Sequence, residues 1–295
     1  MITNIDHEHL ENYGGFDDLQ QAFVEFANRV PFYGAVVACA DDPNLVAVLP
    51  RMTRRVTTYG VGAGDADLTA SDIALGPFGV VATVQRRTRG ADAGAKTFAT
   101  LGRLTLAVPG RHNLQNALAA IAVGMDLGLP FERMAAGLGE FRGVERRFEV
   151  RGEPNGVLVV DDYGHHPTEI TAVLAAAREL KRRIIVAFQP HRFTRTAALL
   201  DAFGPALSGA DYIVLTDIYA AGEDPIHGVT IDALAAAIRR GVRATVEVVP
   251  RLDDVVPAIV RVARPGDVVI TLGAGSVGSL PDRLLEALGG SGGRA

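Results

Sequence analysis

The chain has 295 residues, enough for two domains of ordinary size, and its 48% hydrophobic and 21% charged content is that of a globular protein. A net charge of −5 with no run of Lys or Arg argues against a nucleic-acid-binding surface. One cysteine, Cys39, excludes a disulfide framework and a Cys-based zinc site, and no apolar run approaches 18 residues, so the sequence reads as a soluble cytoplasmic α/β protein without a membrane span.

The opening stretch, MITNIDHEHLENYGG, sets two histidines and several acids ahead of a Gly-Gly, like the end of a strand running into a site loop. Phe16, Leu19, Phe23 and Phe26 then recur at helical spacing as far as Arg29. GAVVACADD is a buried strand ending in acids, and VTTYGVG is a short strand. Residues 66–106 alternate and carry several glycines, the pattern of antiparallel strands and hairpins. LQNALAAIAVGMDL predicts a helix within 113–127, and 131–139 predicts another.

The composition changes near Gly143–Arg147, where a domain boundary is placed, dividing 1–143 from 144–295. RRFEVRGEPNGVLVVDD reads as two strands around an Asn155-Gly156 turn. Helices are then predicted over 169–180, 196–207, 231–239, 252–262 and 280–288, with IIVAFQP, YIVLTDI, TVEVV and DVVITL as strands between them. Four strand–helix alternations of this length predict a doubly wound parallel sheet. The tail GGSGGRA is expected to be disordered.

In an open α/β sheet, ligands sit at the carboxyl ends of strands. Those ends read DDYGHH, FQPHRFTR, TDIYAAGEDPIHG and TLGAGSVG, all polar, ionisable or glycine-rich. All seven histidines fall in loops or at helix starts. Two glycine motifs are decoys. GAGSVG at 273–278 has the dinucleotide spacing but opens the last helix, with no acid about 20 residues downstream, so an NAD-dependent enzyme is the weakest reading. A tight turn of small residues is the plain reading, and backbone N–H groups at a helix N-terminus facing an anionic ligand are the better one. GADAGAKT at 90–97 places Ala95 between glycine and Lys96, which is wrong for a phosphate loop, and reads as a hairpin loop. At Arg111–Asn116, Asn113 suits a helix N-cap with Asn116 in support. HRFTR packs His191, Arg192 and Arg195 into five residues, a set suited to a carboxylate or phosphate.

TNIDHEHL, GRHNLQNALAA, ERRFE, DDYGHHPTE, QPHRFTRT, DIYAAGEDPI and GAGSVG, in this order, resemble the Mur ligases, and most closely their alanine-adding branch; the branch that recycles murein tripeptide differs at QPHRFTRT. The resemblance implies an ATP-dependent, ADP-forming amide ligase that joins L-alanine to UDP-N-acetylmuramate through an acyl phosphate, with Mg2+ as cofactor. It implies an incomplete central ATPase domain over 1–143, lacking the P-loop that lies upstream of TNIDHEH in the family, and a Rossmann-like amino-acid domain over 144–295. It implies further that the missing upstream segment of the same enzyme is a partner, and that residues 1–295 alone are inactive. A non-catalytic nucleotide-binding fragment is the competing reading. Residue by residue, the resemblance makes His9 a metal ligand, with Glu8 standing where the family often has Asp. Asn113 and Asn116, with His112 beside them, become adenine contacts, Asp162 a ribose contact, and Arg147 (or Arg146) a phosphate contact at the domain junction. Tyr163, His165, His191, Arg192 and Arg195 become the cluster around the muramoyl acid and alanine, with Asp161, His166, Glu223 and His227 less firmly placed.

Overall fold

The computed structural model describes residues 1–8, 12–89 and 96–290. The chain forms two compact units, Met1–Arg142 and Gly143–Ala295.

In the first unit, α1 (Phe16–Asn28) follows Gly15 and carries Asp17 and Asp18 in its first turn, where acids favour the positive helix end. It buries Leu19, Val24 and Ala27, whereas Phe26 lies at the rim of that stripe and is 62% exposed. β1 (Ala35–Cys39) pairs in parallel with β2 (Arg55–Tyr59), and Ile2 forms a bridge on β1 at Ala38. Between them lies α2 (Pro43–Val48), too short to show periodicity in the sequence. Its signal is chemical: Asp42 caps it and Pro43 starts it. β3 (Leu68–Gly76), β4 (Gly79–Arg89) and β5 (Lys96–Leu106) complete the five-stranded sheet as an antiparallel meander. Lys96 is therefore not in a hairpin loop but opens β5, paired in register with Arg89; residues 90–95 of GADAGAKT lie outside the described residues. α3 (Arg111–Asp126) lays Leu114, Leu118 and Ile121, all fully buried, into the core of this unit. α4 (Phe131–Glu140) adds Phe131, Met134 and Leu138 to the same core.

The second unit opens with β6 (Glu149–Gly152), antiparallel to β7 (Leu158–Asp162). The predicted turn is present, with Asn155 and Gly156 at φ 49° and 77°. There follow α5 (Pro167–Arg178), β8 (Ile184–Phe188), α6 (Phe193–Ala198), α7 (Phe203–Leu207), β9 (Tyr212–Leu215), α8 (Ile231–Gly241), β10 (Thr245–Val248), α9 (Leu252–Val262), β11 (Val268–Leu272) and α10 (Leu280–Gly290). The single helix expected over 196–207 is thus two, joined by a 3₁₀ turn at Leu200–Ala202. Pro205 has no N–H to offer the carbonyl four residues back, so the helix restarts with the proline in its first turn.

The strand order is β10-β9-β8-β11-β7-β6, parallel except for the β6–β7 pair. Alternate strand residues feed two apolar layers. Val160, Val186 and Ile270 pack with α5, α7 and α8; Val159, Ile185 and Val269 pack with α9 and α10. This is the doubly wound α/β architecture that the strand–helix alternation predicts. Because β11 inserts between β8 and β7, the carboxyl ends of three neighbouring strands open side by side.

Candidate active site

Two of those ends, of β7 and β8, carry the sequence-predicted cluster of the second unit. The Tyr163 and His165 rings meet edge to face with centroids 5.5 Å apart, and His165 lies 5.5 Å from His191. His191 in turn stacks on Tyr219 at 5.5 Å. The ring nitrogens are sorted by their partners. His165 Nδ1 lies 2.9 Å from the Tyr163 carbonyl, which only accepts, so Nδ1 carries a proton. His191 Nδ1 lies 3.2 Å from Arg195 Nη1, which only donates, so Nδ1 accepts and the proton of the neutral ring sits on Nε2. Burial, with His165 and the Arg195 and Arg192 charges nearby, pushes the His191 pKa down to about 4. At neutral pH His191 is an uncharged N–H donor.

Arg192 holds φ 73°, a left-handed conformation that costs energy for a residue with a Cβ. It is fixed there by its N–H to the Tyr219 carbonyl at 2.8 Å, while its own carbonyl accepts from the Thr196 N–H and hydroxyl. Its guanidinium is 3.8 Å from Glu223, whose carboxylate also takes the Thr194 hydroxyl and N–H. Burial works against ionisation of Glu223, but those Thr194 bonds outweigh it and hold the carboxyl below its usual range. His227 lies exposed in the loop before α8.

The loop after β7 is anchored by Glu169. Its Oε2 accepts from the His165 and His166 N–H groups at 3.1 and 3.2 Å, and its Oε1 from Arg147 at 3.1 Å. With His166 as N-cap this forms a capping box that starts α5. Arg146 and Arg147, interchangeable in the sequence, differ in the structure. Arg146 is spent internally: Nε meets the buried Asp161 at 2.8 Å and Nη2 meets the Gly273 carbonyl at 2.7 Å. Arg147 is half-exposed and free of such buried partners; both guanidiniums lie over the Tyr163 ring, Arg146 at 5.1 Å and Arg147 at 5.7 Å from its centroid. Asp162 is buried, its carboxylate accepting the Gly164 and Phe148 N–H groups at 2.7 Å each. Burial raises its pKa to about 6.

The glycines of GAGSVG are closely packed. A Cβ at Gly273 would lie 2.6 Å from the Gln189 carbonyl, one at Gly275 2.6 Å from the Tyr219 ring, and one at Gly278 2.6 Å from the Arg146 guanidinium. The Val277 N–H is taken by Gln189 Oε1 at 2.9 Å. Gln189 and Tyr219, which sequence reasoning missed, therefore hold the strand-end loops together; the only signal for them was their place beside a strand end.

In the first unit, α3 begins at Arg111 with Gly110 at the N-cap, and no side chain caps it. The capping reading of Asn113 is corrected, because the helix starts two residues earlier. Asn113 instead donates to the Pro109 carbonyl at 2.7 Å. Asn116 is exposed, and its amide bonds to no described residue. His112 is half-buried beside them. Near the N-terminus the His7 ring stacks on Phe16 at 4.0 Å, while His9 lies outside the described residues. Among the described residues no group of three or more His, Cys, Asp or Glu side chains is disposed to hold a metal ion. Nor, among them, is any helix long and apolar enough to cross a membrane.

Residues 1–124 match the Mur ligase middle domain, and residues 146–275 match the Mur ligase glutamate ligase domain. The chain is similar to UDP-N-acetylmuramate–L-alanine ligases of Solibacter usitatus, 48% identical over 98% of this chain and 59% of that one, and of Geobacter sp. strain M21, 45% identical over 98% and 60%. A crystal structure of UDP-N-acetylmuramate–alanine ligase from Thermotoga maritima is 27% identical and superposes with a TM-score of 0.73 over 97% of this chain and 58% of that one. The chain thus spans about three fifths of the length of the curated relatives it matches.

Proposed function

Since the chain belongs to the Mur ligase family, we propose that it supplies the central and amino-acid-binding parts, residues 1–143 and 144–295, of a ligase that joins L-alanine to UDP-N-acetylmuramate with conversion of ATP to ADP. The observation that carries the proposal is the convergence of Tyr163, His165, His191, Arg192 and Arg195 at the carboxyl ends of β7 and β8, the two strands that flank β11.

The chemistry asks two things of these side chains. A muramoyl carboxylate oxygen attacks the γ-phosphorus, the bond to ADP breaks, and an acyl phosphate forms. The alanine nitrogen then attacks the acyl carbon, phosphate leaves, and the nitrogen loses a proton. Both carboxylates need cations to hold them at reacting distance. Arg192 and Arg195 are the cations of the cluster, and neutral His191 offers an N–H to a carboxylate or carbonyl oxygen without adding charge. Arg147, half-exposed on Tyr163, is suited to a nucleotide phosphate in exchange for Glu169. Asn113 and Asn116 on the first turns of α3 are suited to the adenine edge. Magnesium would serve to spread phosphate charge, and His9 is proposed as one ligand.

The test is phosphate release from ATP with UDP-N-acetylmuramate and L-alanine in the intact ligase. Arg192→Ala is expected to raise the alanine KM and cripple amide formation, and Asn116→Ala to weaken nucleotide binding. Unchanged alanine kinetics in the Arg192 variant refute the assignment. Residues 1–295 alone contain no G-x-x-x-x-G-K-[ST] segment. They are expected to show no ATP turnover until a segment carrying one is added; turnover near that of the intact ligase would overturn this.

A further inference from the structure

We infer that Asp41 and Gln115 are positioning residues that set the first turns of α3, and with them Asn113 and Asn116, against an adenine base. The inference rests on the adenine reading of the two asparagines.

Asp41 follows β1 and gathers four donors on two oxygens. Oδ2 accepts from the Val61 N–H at 2.6 Å and from Gln115 Nε2 at 2.7 Å; Oδ1 accepts from Gly62 and Ala63 N–H at 2.8 and 2.7 Å. The carboxylate thus ties the end of β1 to the loop after β2 and to α3. Close approach is built in: a Cβ at Gly60 would lie 2.8 Å from Asp41 Oδ1, and one at Gly62 3.3 Å from both Asp41 Oδ1 and Arg111 Nη2. Burial opposes ionisation here, but the donors outweigh it, and the Asp41 pKa is lowered. A charged acceptor makes each of these bonds stronger than a neutral one.

Gln115 sits between the two asparagines in the helix. Its bond to Asp41 fixes the rotation of that turn, while the Asn113 bond to Pro109 fixes its start. Asn116, one residue on, is left facing solvent. An Asn amide reads the adenine edge only when its donor and acceptor are both aligned, so a turn that rocks loses the contact.

The experiment measures calorimetric Kd values for ADP and GDP, the alanine KM, and thermal unfolding in the intact ligase. Gln115→Ala is expected to weaken ADP binding about tenfold and to narrow the preference for ADP over GDP. The alanine KM and the melting temperature should stay close to wild type. Gln115→Met, similar in length but without an amide, takes its place if the alanine variant does not fold. Asn116→Ala runs alongside. If Asn116→Ala weakens ADP binding and the Gln115 variants do not, this inference falls and the adenine reading stands. If neither weakens it, both fall. If the Gln115 variants weaken ADP and GDP alike and lower the melting temperature, the role is merely structural and the inference is overturned.

Discussion

An Asp-Asp pair closes β7 and another follows β1, and within each pair the two acids are held differently. After β1, Asp41 stays partly exposed and collects four donors, so its pKa falls although burial works against it. Asp42 caps α2 and accepts from Leu45 and Ile5 N–H groups, yet burial is the larger influence and its pKa is raised. At the end of β7, Asp161 is fully buried and answered by Arg146 and the Thr271 hydroxyl. Asp162, with only two backbone donors, is pushed up to about 6 by burial. The dipeptide is the same. What decides the charge is how many donors replace the water each carboxylate gives up.

The largest break in this comparison is Arg146→Ala. It strips the cation from Asp161 and the donor from the Gly273 carbonyl. A buried carboxylate without its partner costs about 3–5 kcal/mol. Denaturant unfolding followed by hydrogen exchange should show that loss in the second unit alone; equal loss in both units would contradict it.

The next test is pH. Asp162 titrates near 6 when folded and near 3.9 when unfolded. Between those values the folded state binds more protons, so this group makes stability fall as pH rises, by up to about 3 kcal/mol. His191 works the other way. Its folded pKa of about 4 lies below the unfolded value of about 6.5, so over much of the same window it makes stability rise with pH. The two slopes oppose each other, and Asp162→Asn should unmask the His191 slope, leaving stability that rises from pH 4 to 6. A variant whose profile matches wild type would show that Asp162 does not titrate in this window.

These residues were not equally legible. The buried runs of β7, β8 and β11 and the ionisable residues at their ends stand out in the sequence, because a sheet covered on both faces needs apolar runs and cannot bury such ends. That Arg147 rather than Arg146 projects outward was not legible. It depends on Arg146 and Phe148 both taking left-handed conformations around it. Asn113 looked like a cap because its residue type suits one, but Gly110 had already started the helix. Asp41 looked like the end of a strand; its four donors come from residues 20 to 74 positions away, which no local pattern encodes.

Asp41→Asn should cost less than Arg146→Ala, because Asp41 is only partly buried. It removes the charge from four hydrogen bonds and turns an NH2 toward N–H donors. An effect of about 2 kcal/mol is expected, confined to the first unit. The wild-type contribution should be present above the unfolded carboxylate pKa and disappear as pH falls through the lowered folded value. Urea unfolding of both proteins above and below that range is the measurement; a stability difference that persisted at the acid end would tell against a role for the charge.

Asp42→Ala is the smallest perturbation and the sharpest check on the difference between the two members of a pair. The Asp42 carboxylate accepts the Leu45 N–H at 2.6 Å as the N-cap of α2, and the Ile5 N–H at 3.3 Å. Losing a cap costs about 1 kcal/mol. The helix is only six residues long, with Pro43 in its first turn. It has few other bonds with which to share the loss. Leu45 is fully buried, however, so packing should keep the segment in place while its amide exchanges faster. The expected result is increased exchange at Leu45, with the amides of Val61, Gly62 and Ala63, which answer to Asp41, unchanged. If those three amides loosen as well, Asp41 and Asp42 act as one unit, and the separation of roles within the pair is wrong.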